Sequence, residues 1–409
     1  MKTLIKSATI IDKNSDFHRK KMDILIENGI INKIAKTIND EADKIIQFTN
    51  LYVSNGWFDT SVSFGEPGYE ERETIKNGLQ VAKKSGFTAI ALNPNTNPVI
   101  DNKAGIEFLI QQAKNQQVAL YPIGALTKKA QGNELAELFD MQNSGAIAFG
   151  DYNKAINNAN LMKIALQYAQ NFDALLLGFP QQNQLANGFV NEGINSTKIG
   201  LKGNPNMAEF LQISRDLHLL EYTGGKLHIP CISTKESVEL IAKAKKKGLN
   251  ITCSVSAHHL FFNDSEILNF NTNAKTLPPL REEKDRLALI KAVKDDTIDC
   301  ITSDHQPIDI ENKKVPFKLA LYGTIGLESF FGLVNSVLDL ESFIEKITTN
   351  PRNIFGLPVS KIKIGEKANL TLFNPEFEYT FSTKNILSTS KNAIALNKKL
   401  KGIVYDVIC

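Results

Sequence analysis

The chain has 409 residues, 42% hydrophobic and 22% charged, with 47 basic against 44 acidic side chains and a formal net charge of +3. That is a globular composition, long enough for one large domain and a small one. The near balance of charge lacks the surplus of one sign that a nucleic-acid or membrane surface would need, so neither partner is expected.

The first fifty residues alternate as short strands: TLIKSATIID, DILIENGIINKIA and KIIQFTNLYV. Asn28-Gly29 is a turn signal between two such runs. From residue 51 the texture changes to short apolar runs separated by amphipathic stretches. The runs are LYVSNGWFD (51–59), TAIALN (88–93), ALYPIG (119–124), AIAFGD (146–151), ALLLGF (174–179), KLHIPCIS (226–233), NITCSVSA (250–257) and DCITSDH (299–305). Helix-like stretches such as ETIKNGLQVAKKSG, NANLMKIALQYAQ and SVELIAKAKKKG lie between them, several ending in Gly or Asn as C-caps do. Thr234 is placed to N-cap the last of these. The basic run AKAKKKG at 242–248 then reads as a solvated helix end, where cations complement the helix dipole. Beyond the periodic region, SKIKIGEKANLTLF (360–373) and KGIVYDVI (401–408) read again as strands.

Eight apolar strands alternating with helices predict a closed parallel (β/α)8 barrel of the TIM type, with a doubly wound open sheet as the alternative. The two β-rich ends predict a small β domain built from 1–53 and 356–409, with the barrel over 54–355. In a barrel the chemistry sits at the C-terminal ends of the strands. Those ends carry Asp59, Ser61 and Ser63; Asn93 and Asn95; Thr127; Asp151; Phe179; Cys231; Ser256 with His258 and His259; and Asp304 with His305.

None of the six histidines forms a His-x-His or His-x₃-His pair. His18 and His218 read as surface or packing residues, and His228 as a core histidine. One of His258 and His259 is expected to be a satisfied core histidine, because neighbours in an extended segment point opposite ways. His305 is the histidine expected to reach a ligand pocket. The four cysteines show no paired spacing, three of them within apolar runs, which favours a reducing compartment. No apolar run approaches a membrane span, and MKTLIKSATIIDKN is too polar for a signal peptide. A cytoplasmic location is therefore expected.

At these segments the chain resembles a dihydroorotase of the cyclic amidohydrolase superfamily. EPGYEERETIKNGLQVAKKSGFTAIALNPNTNPV, LANGFVNEG, STKESVELIAKAKKKGLNITCSVSAHHLFF, LPPLREEKDR, IDCITSDHQP, GLESFF and NPRNIFGL resemble family segments in the family's order. The resemblance implies a barrel with a split β domain, and metal residues that can be checked singly. The Asp-x-His-x-His motif stands here as Asp59-Thr-Ser61-Val-Ser63. The bridging aspartate of strand four matches Asp151, the histidines of strands five and six match Phe179 and Cys231, and the catalytic base of strand eight matches Asp304. All four histidine ligands are replaced and the aspartates kept, so the pattern resembles the family's metal-ligand-deficient, non-catalytic homologues. Among substrate contacts, an arginine position holds Gly65, the second-strand asparagine is kept as Asn95, an asparagine position holds Leu277 and a late histidine position holds Ile308.

Three functions are carried forward from these residues. The first is a degenerate homologue without zinc or other cofactor, acting in pyrimidine biosynthesis as a structural or regulatory partner of aspartate transcarbamoylase, the association the resemblance implies. Family members are commonly dimers, so a homodimer belongs to the same expectation. The second is an active cyclic amidohydrolase with a rebuilt or mononuclear zinc centre, in which Asp304 takes the proton of a water attacking a ring amide. A metal on Cys231, Asp151 and Asp304 would serve it, although a buried thiol is the commoner role of such a cysteine. A serine nucleophile at Ser61 or Ser63 is disfavoured, because His305 adjoins its orienting acid in sequence. The third is a small-molecule binding protein using Asn95, Asp151 and His305 as anchors.

Overall fold

The computed structural model describes residues 2–409. Seventeen strands follow in chain order, of which seven form a sheet of the chain ends. These are β1 (Lys2–Ile11), β2 (Lys21–Glu27), β3 (Ile30–Ala35), β4 (Lys44–Ile46), β5 (Tyr52–Asn55), β16 (Leu370–Thr380) and β17 (Lys399–Ile408). The order is β17-β16-β5-β1-β2-β3, with β4 on β1. Thr3, Leu4 and Ile5 on β1 face Ile26, Leu25 and Ile24 on β2 in antiparallel register. Ile5, Ile10, Ile24, Val53, Leu370 and Leu372 fill the core beneath the sheet.

The barrel strands are β6 (Trp57–Val62), β7 (Phe87–Leu92), β8 (Ala119–Gly124), β9 (Ala148–Phe149), β10 (Leu176–Leu177), β13 (Leu227–Ile229), β14 (Ile251–Ser256) and β15 (Cys300–Thr302). They pair in parallel in that order, which is the expected eight-stranded barrel. The strands are buried on both faces, as near-continuous apolar runs require. Two further strands, β11 (Val190–Asn191) and β12 (Gly203–Asn204), form a separate ribbon.

Two expectations are corrected here. The run 51–59 is not one barrel strand: it divides at Gly56 between β5 of the small sheet and β6 of the barrel. Gly56 allows this because a Cβ there would lie 2.1 Å from Asn369 Oδ1 and 2.2 Å from Thr88 Oγ1. Nor do residues 356–409 all belong to the small unit. Between β16 and β17 the chain leaves the sheet, and Phe381, Ile386, Ala393, Ile394 and Ala395 join the barrel core. Asn392 in that excursion binds the carbonyls of Gln306 (3.0 Å) and Gly323 (3.2 Å) and accepts from Ile308 N (3.1 Å). The C-terminal segment thereby ties down the loop that follows the eighth barrel strand.

The helix Lys235–Lys246 starts at Thr234, whose hydroxyl accepts from Ser237 N as a capping residue should. Among the described residues no helix is long and apolar enough to cross a membrane.

Candidate functional site

The barrel closes through a narrow seam. β15 meets β6 at a parallel bridge between His305 and Val62, with Ser63 N donating to His305 O at 2.8 Å. Asp59 completes the seam. Its carboxylate is fully buried and accepts from Ser303 N (3.1 and 3.3 Å), Ser61 N (3.2 Å) and the Thr302 hydroxyl. Burial pushes the Asp59 carboxyl up to about 6, against the pull of those donors.

Asp304 lies at the end of strand eight with φ at +46°, a left-handed backbone unusual for a residue with a Cβ. Its Oδ1 accepts from Ser61 Oγ and from Tyr152 Oη, both at 3.2 Å. Burial raises its carboxyl to about 7, opposed by those two donors and reinforced by Asp59. Asn93 Nδ2 donates to Ser61 Oγ and Ser63 Oγ, each at 3.2 Å. Thus Ser61 and Ser63 are held in a network running from Asn93 to Asp304.

Cys231 is buried, again with positive φ (+51°). Burial, and after it the neighbouring Asp304 and Asp59 carboxylates, hold its thiol well above the usual range. Such a thiol stays protonated and unreactive. Phe179 is buried past the end of β10 and carries no donor atom. Asp151 is turned aside from this group: Thr127 donates to it through N (3.0 Å) and through its hydroxyl. Burial raises the Asp151 carboxyl as well. Among the described residues, no three His, Cys, Asp or Glu side chains are placed together to hold a metal ion.

His305 corrects the expectation of a ligand-pocket histidine. The ring is fully buried, its Nδ1 accepts from Gly326 N (3.2 Å) and Leu327 N (3.3 Å), and its edge meets Phe64. Burial lowers it to about 4, so it is neutral near pH 7 and serves as a backbone acceptor. The left-handed turn at Asp304 redirects the chain just before it. Asn95 is half-buried, and its Oδ1 is buried without a hydrogen-bond partner. His228 lies between Thr252 Oγ1 (2.8 Å) and Ser254 Oγ (3.2 Å), a core histidine. His258 and His259 occupy the short helix Ala257–Phe261 and are both buried, rather than alternating along a strand. His259 is bound by Ser256 Oγ and Pro279 O, whereas the His258 ring nitrogens make no hydrogen bond.

Two residues of the site had no expected role. Tyr152 follows Asp151 with φ at +54° and reaches Asp304 and Gln306 Oε1 (3.4 Å). Its sequence signal is only adjacency to a strand-end aspartate. Asn93 was legible as a strand end, but its hold on the two serines depends on the β6–β7 pairing.

Folded this way, the chain is a TIM barrel of the amidohydrolase type. The L-hydantoinase (dihydropyrimidinase) from Arthrobacter aurescens superposes with a TM-score of 0.86 at 19% identity, covering 100% of this chain and 96% of that one. A D-hydantoinase (dihydropyrimidinase) from Thermus sp. gives 0.81 at 20% identity, covering 99% and 93%. The sequence goes further than the fold. Residues 51–237 match the family described as dihydro-orotase-like. The dihydroorotase of Ruminiclostridium cellulolyticum is 39% identical over 401 residues, 96% of this chain and 94% of that protein. The dihydroorotase of Caldicellulosiruptor saccharolyticus is 40% identical over 415 residues, 99% and 96%. The chain belongs to the dihydroorotase family.

Proposed function

We propose that this chain is a catalytically degenerate dihydroorotase homologue of pyrimidine biosynthesis, acting as a structural or regulatory partner of aspartate transcarbamoylase. The observation that carries the reading is the donor set at the strand ends. Ser61 and Ser63 offer neutral hydroxyls, Phe179 offers nothing, Cys231 is a protonated buried thiol and Asp151 is bound to Thr127. Zinc is held by imidazole, thiolate and carboxylate converging on one point. This set does not fit the binuclear zinc centre that the family resemblance implies, and the Asp304 carboxylate is answered by hydroxyls instead. A dimer of the chain is part of the same proposal, as is a location in the cytoplasm.

Elemental analysis of protein grown with added zinc and purified without chelator tests the reading. Less than about a tenth of an equivalent of metal is expected, far below what a true site retains. Dihydroorotate and carbamoyl aspartate should not interconvert, and mixing with aspartate transcarbamoylase should change the oligomeric state of both. A full equivalent of zinc, lost on replacing Cys231 or Asp304 and accompanied by turnover, would overturn it.

One observation favours a second reading, an active cyclic amidohydrolase. The Asp304 carboxyl, raised to about 7, is matched to a general base at neutral pH. It would accept the proton of a water attacking a ring amide. A rate that rises with pH through about 7 and vanishes in Asp304→Asn would establish that reading.

A further inference from the structure

In the segment GLESFF (326–331), the Gly326 and Leu327 amides hold His305, while Glu328 turns elsewhere. Its carboxylate is bonded through one oxygen only. Oε1 accepts from Ser388 N (2.9 Å) and Ser388 Oγ (2.6 Å), whereas Oε2 is buried and has no hydrogen-bond partner. A buried carboxylate oxygen without a donor is costly, so it calls for a partner from outside the chain.

Glu328 also lines a cavity of about 140 Å³, bordered by the end of the helix Ile75–Lys84, the helix Phe330–Asn335 and the strands β16 and β17. A single water needs about 10–15 Å³ of such space, so the cavity admits a compact organic molecule. Lys84, Lys384, Tyr379 and Phe331 share its wall with Glu328, and no strand-end side chain of the barrel mouth is among the residues that line it. Gly332 lets the phenol close in, since a Cβ there would lie 2.9 Å from Tyr379 Oη.

Charge decides the occupant. Both lysines are exposed and Glu328 is half-buried. Among the described residues none of the three forms an ion pair. The cavity thus offers two cations at its rim and one anion further in. Glu73, whose carboxyl is raised by burial and more weakly by Glu328, is already bonded to Asn77 Nδ2 (2.8 Å) and Thr389 N (3.0 Å). It adds negative charge beside Glu328 and no cation. The complement of this pattern carries two carboxylates and one ammonium on a short carbon frame that can rest on Phe331.

We propose that this cavity is a binding site for an acidic amino acid, whose ammonium donates to Glu328 and whose two carboxylates meet Lys84 and Lys384. The Tyr379 hydroxyl supplies one more donor. The site is separate from the barrel mouth and does not depend on whether the mouth holds a metal.

Titration calorimetry on the full chain tests it, with L-aspartate, L-glutamate, succinate and L-alanine as probes. Aspartate or glutamate should bind with a stoichiometry of one per chain. Succinate lacks the ammonium and alanine the second carboxylate, so each should bind about tenfold more weakly, the worth of one charged hydrogen bond. Replacing Lys84 and Lys384 together by Met should weaken the acidic amino acid by about tenfold or more. No binding of either acidic amino acid, succinate binding as tightly as aspartate, or unchanged binding in K84M/K384M would overturn the proposal, the last by placing the ligand elsewhere on the chain. Should the double variant fail to fold, Glu328→Gln decides. E328Q keeps an acceptor for Ser388 and loses the charge, so aspartate should lose its advantage over succinate, and an advantage retained would refute the site.

Discussion

Two buried polar clusters lie within this barrel, and they are built on opposite terms. Around Glu209 every charge is answered. Its carboxylate accepts from Ser233 N (2.9 Å), Thr234 N (3.0 Å), Ser237 Oγ (2.7 Å) and the Ser233 hydroxyl. Arg281 stands 3.8 Å away and itself donates to Ser233 Oγ (3.0 Å), Asn191 Oδ1 (3.1 Å) and Asn204 O (2.9 Å). At the mouth, Asp59 and Asp304 are equally buried but answered only by neutral donors, and both carboxyls are raised, to about 6 and about 7. The difference separates polar groups that hold the scaffold as an ion pair from carboxyls that are buried without a cation partner. A paired, fully bonded ion is a structural element. A buried carboxylate lacking a cation keeps its proton near neutrality.

That contrast can be broken most forcefully at Arg281. Arg281→Met should cost about 3–5 kcal/mol, because it strands the Glu209 carboxylate in the interior. Denaturant unfolding would show it, and a loss under ~1 kcal/mol would mean that the Arg281–Glu209 pair does not hold the scaffold. Asp59→Asn comes next, at about 1–3 kcal/mol, since one acceptor at the seam becomes a donor facing Ser303 N–H. Hydrogen exchange should quicken at the amides of Ser63 and Ser303, where the barrel closes. Ser63→Ala should cost ~1 kcal/mol or less, because Asn93 keeps its bond to Ser61.

Asp304→Asn sharpens the comparison through slope and not level. Folded, Asp304 keeps its proton up to about pH 7; unfolded, it loses it near 3.8. Between those values the folded state binds more protons, so this group's contribution to stability falls as pH rises. The stability of the unaltered protein relative to D304N should therefore decline from pH 4 to pH 7 and level off outside that window. The difference curve is needed because buried His228, His259 and His305, lowered to about 3, 4 and 4, act with the opposite sign over part of the range. A flat difference curve would mean that Asp304 is ionised throughout.

Much of the architecture was legible because it depends on pattern. Eight apolar runs at regular spacing gave eight strands, even where the paired part shrinks to Ala148–Phe149 or Leu176–Leu177. Thr234 was legible as a cap because its hydroxyl acts within one turn. His228 was legible as core because a lone imidazole between apolar neighbours has to find partners in the fold. His305 was misjudged for a definite reason. Side-chain alternation assumes extended backbone, and the left-handed turn at Asp304 ends the alternation one residue earlier. The same sign reversal hid Tyr152, whose inward course depends on its own φ.

The sequence alone determined the barrel, the split β unit and the side chains Ser61, Ser63, Phe179 and Cys231 that stand at its strand ends. These follow from periodicity and residue identity, which are local properties. Only the tertiary structure decided how the strand ends are joined: Asn93 holding two serines, Asp59 sealing the seam, and Tyr152 reaching Asp304. Each of those contacts joins strand ends far apart in the chain. Their geometry is set by barrel closure and by three backbone sign reversals, at Tyr152, Cys231 and Asp304, which no linear pattern encodes.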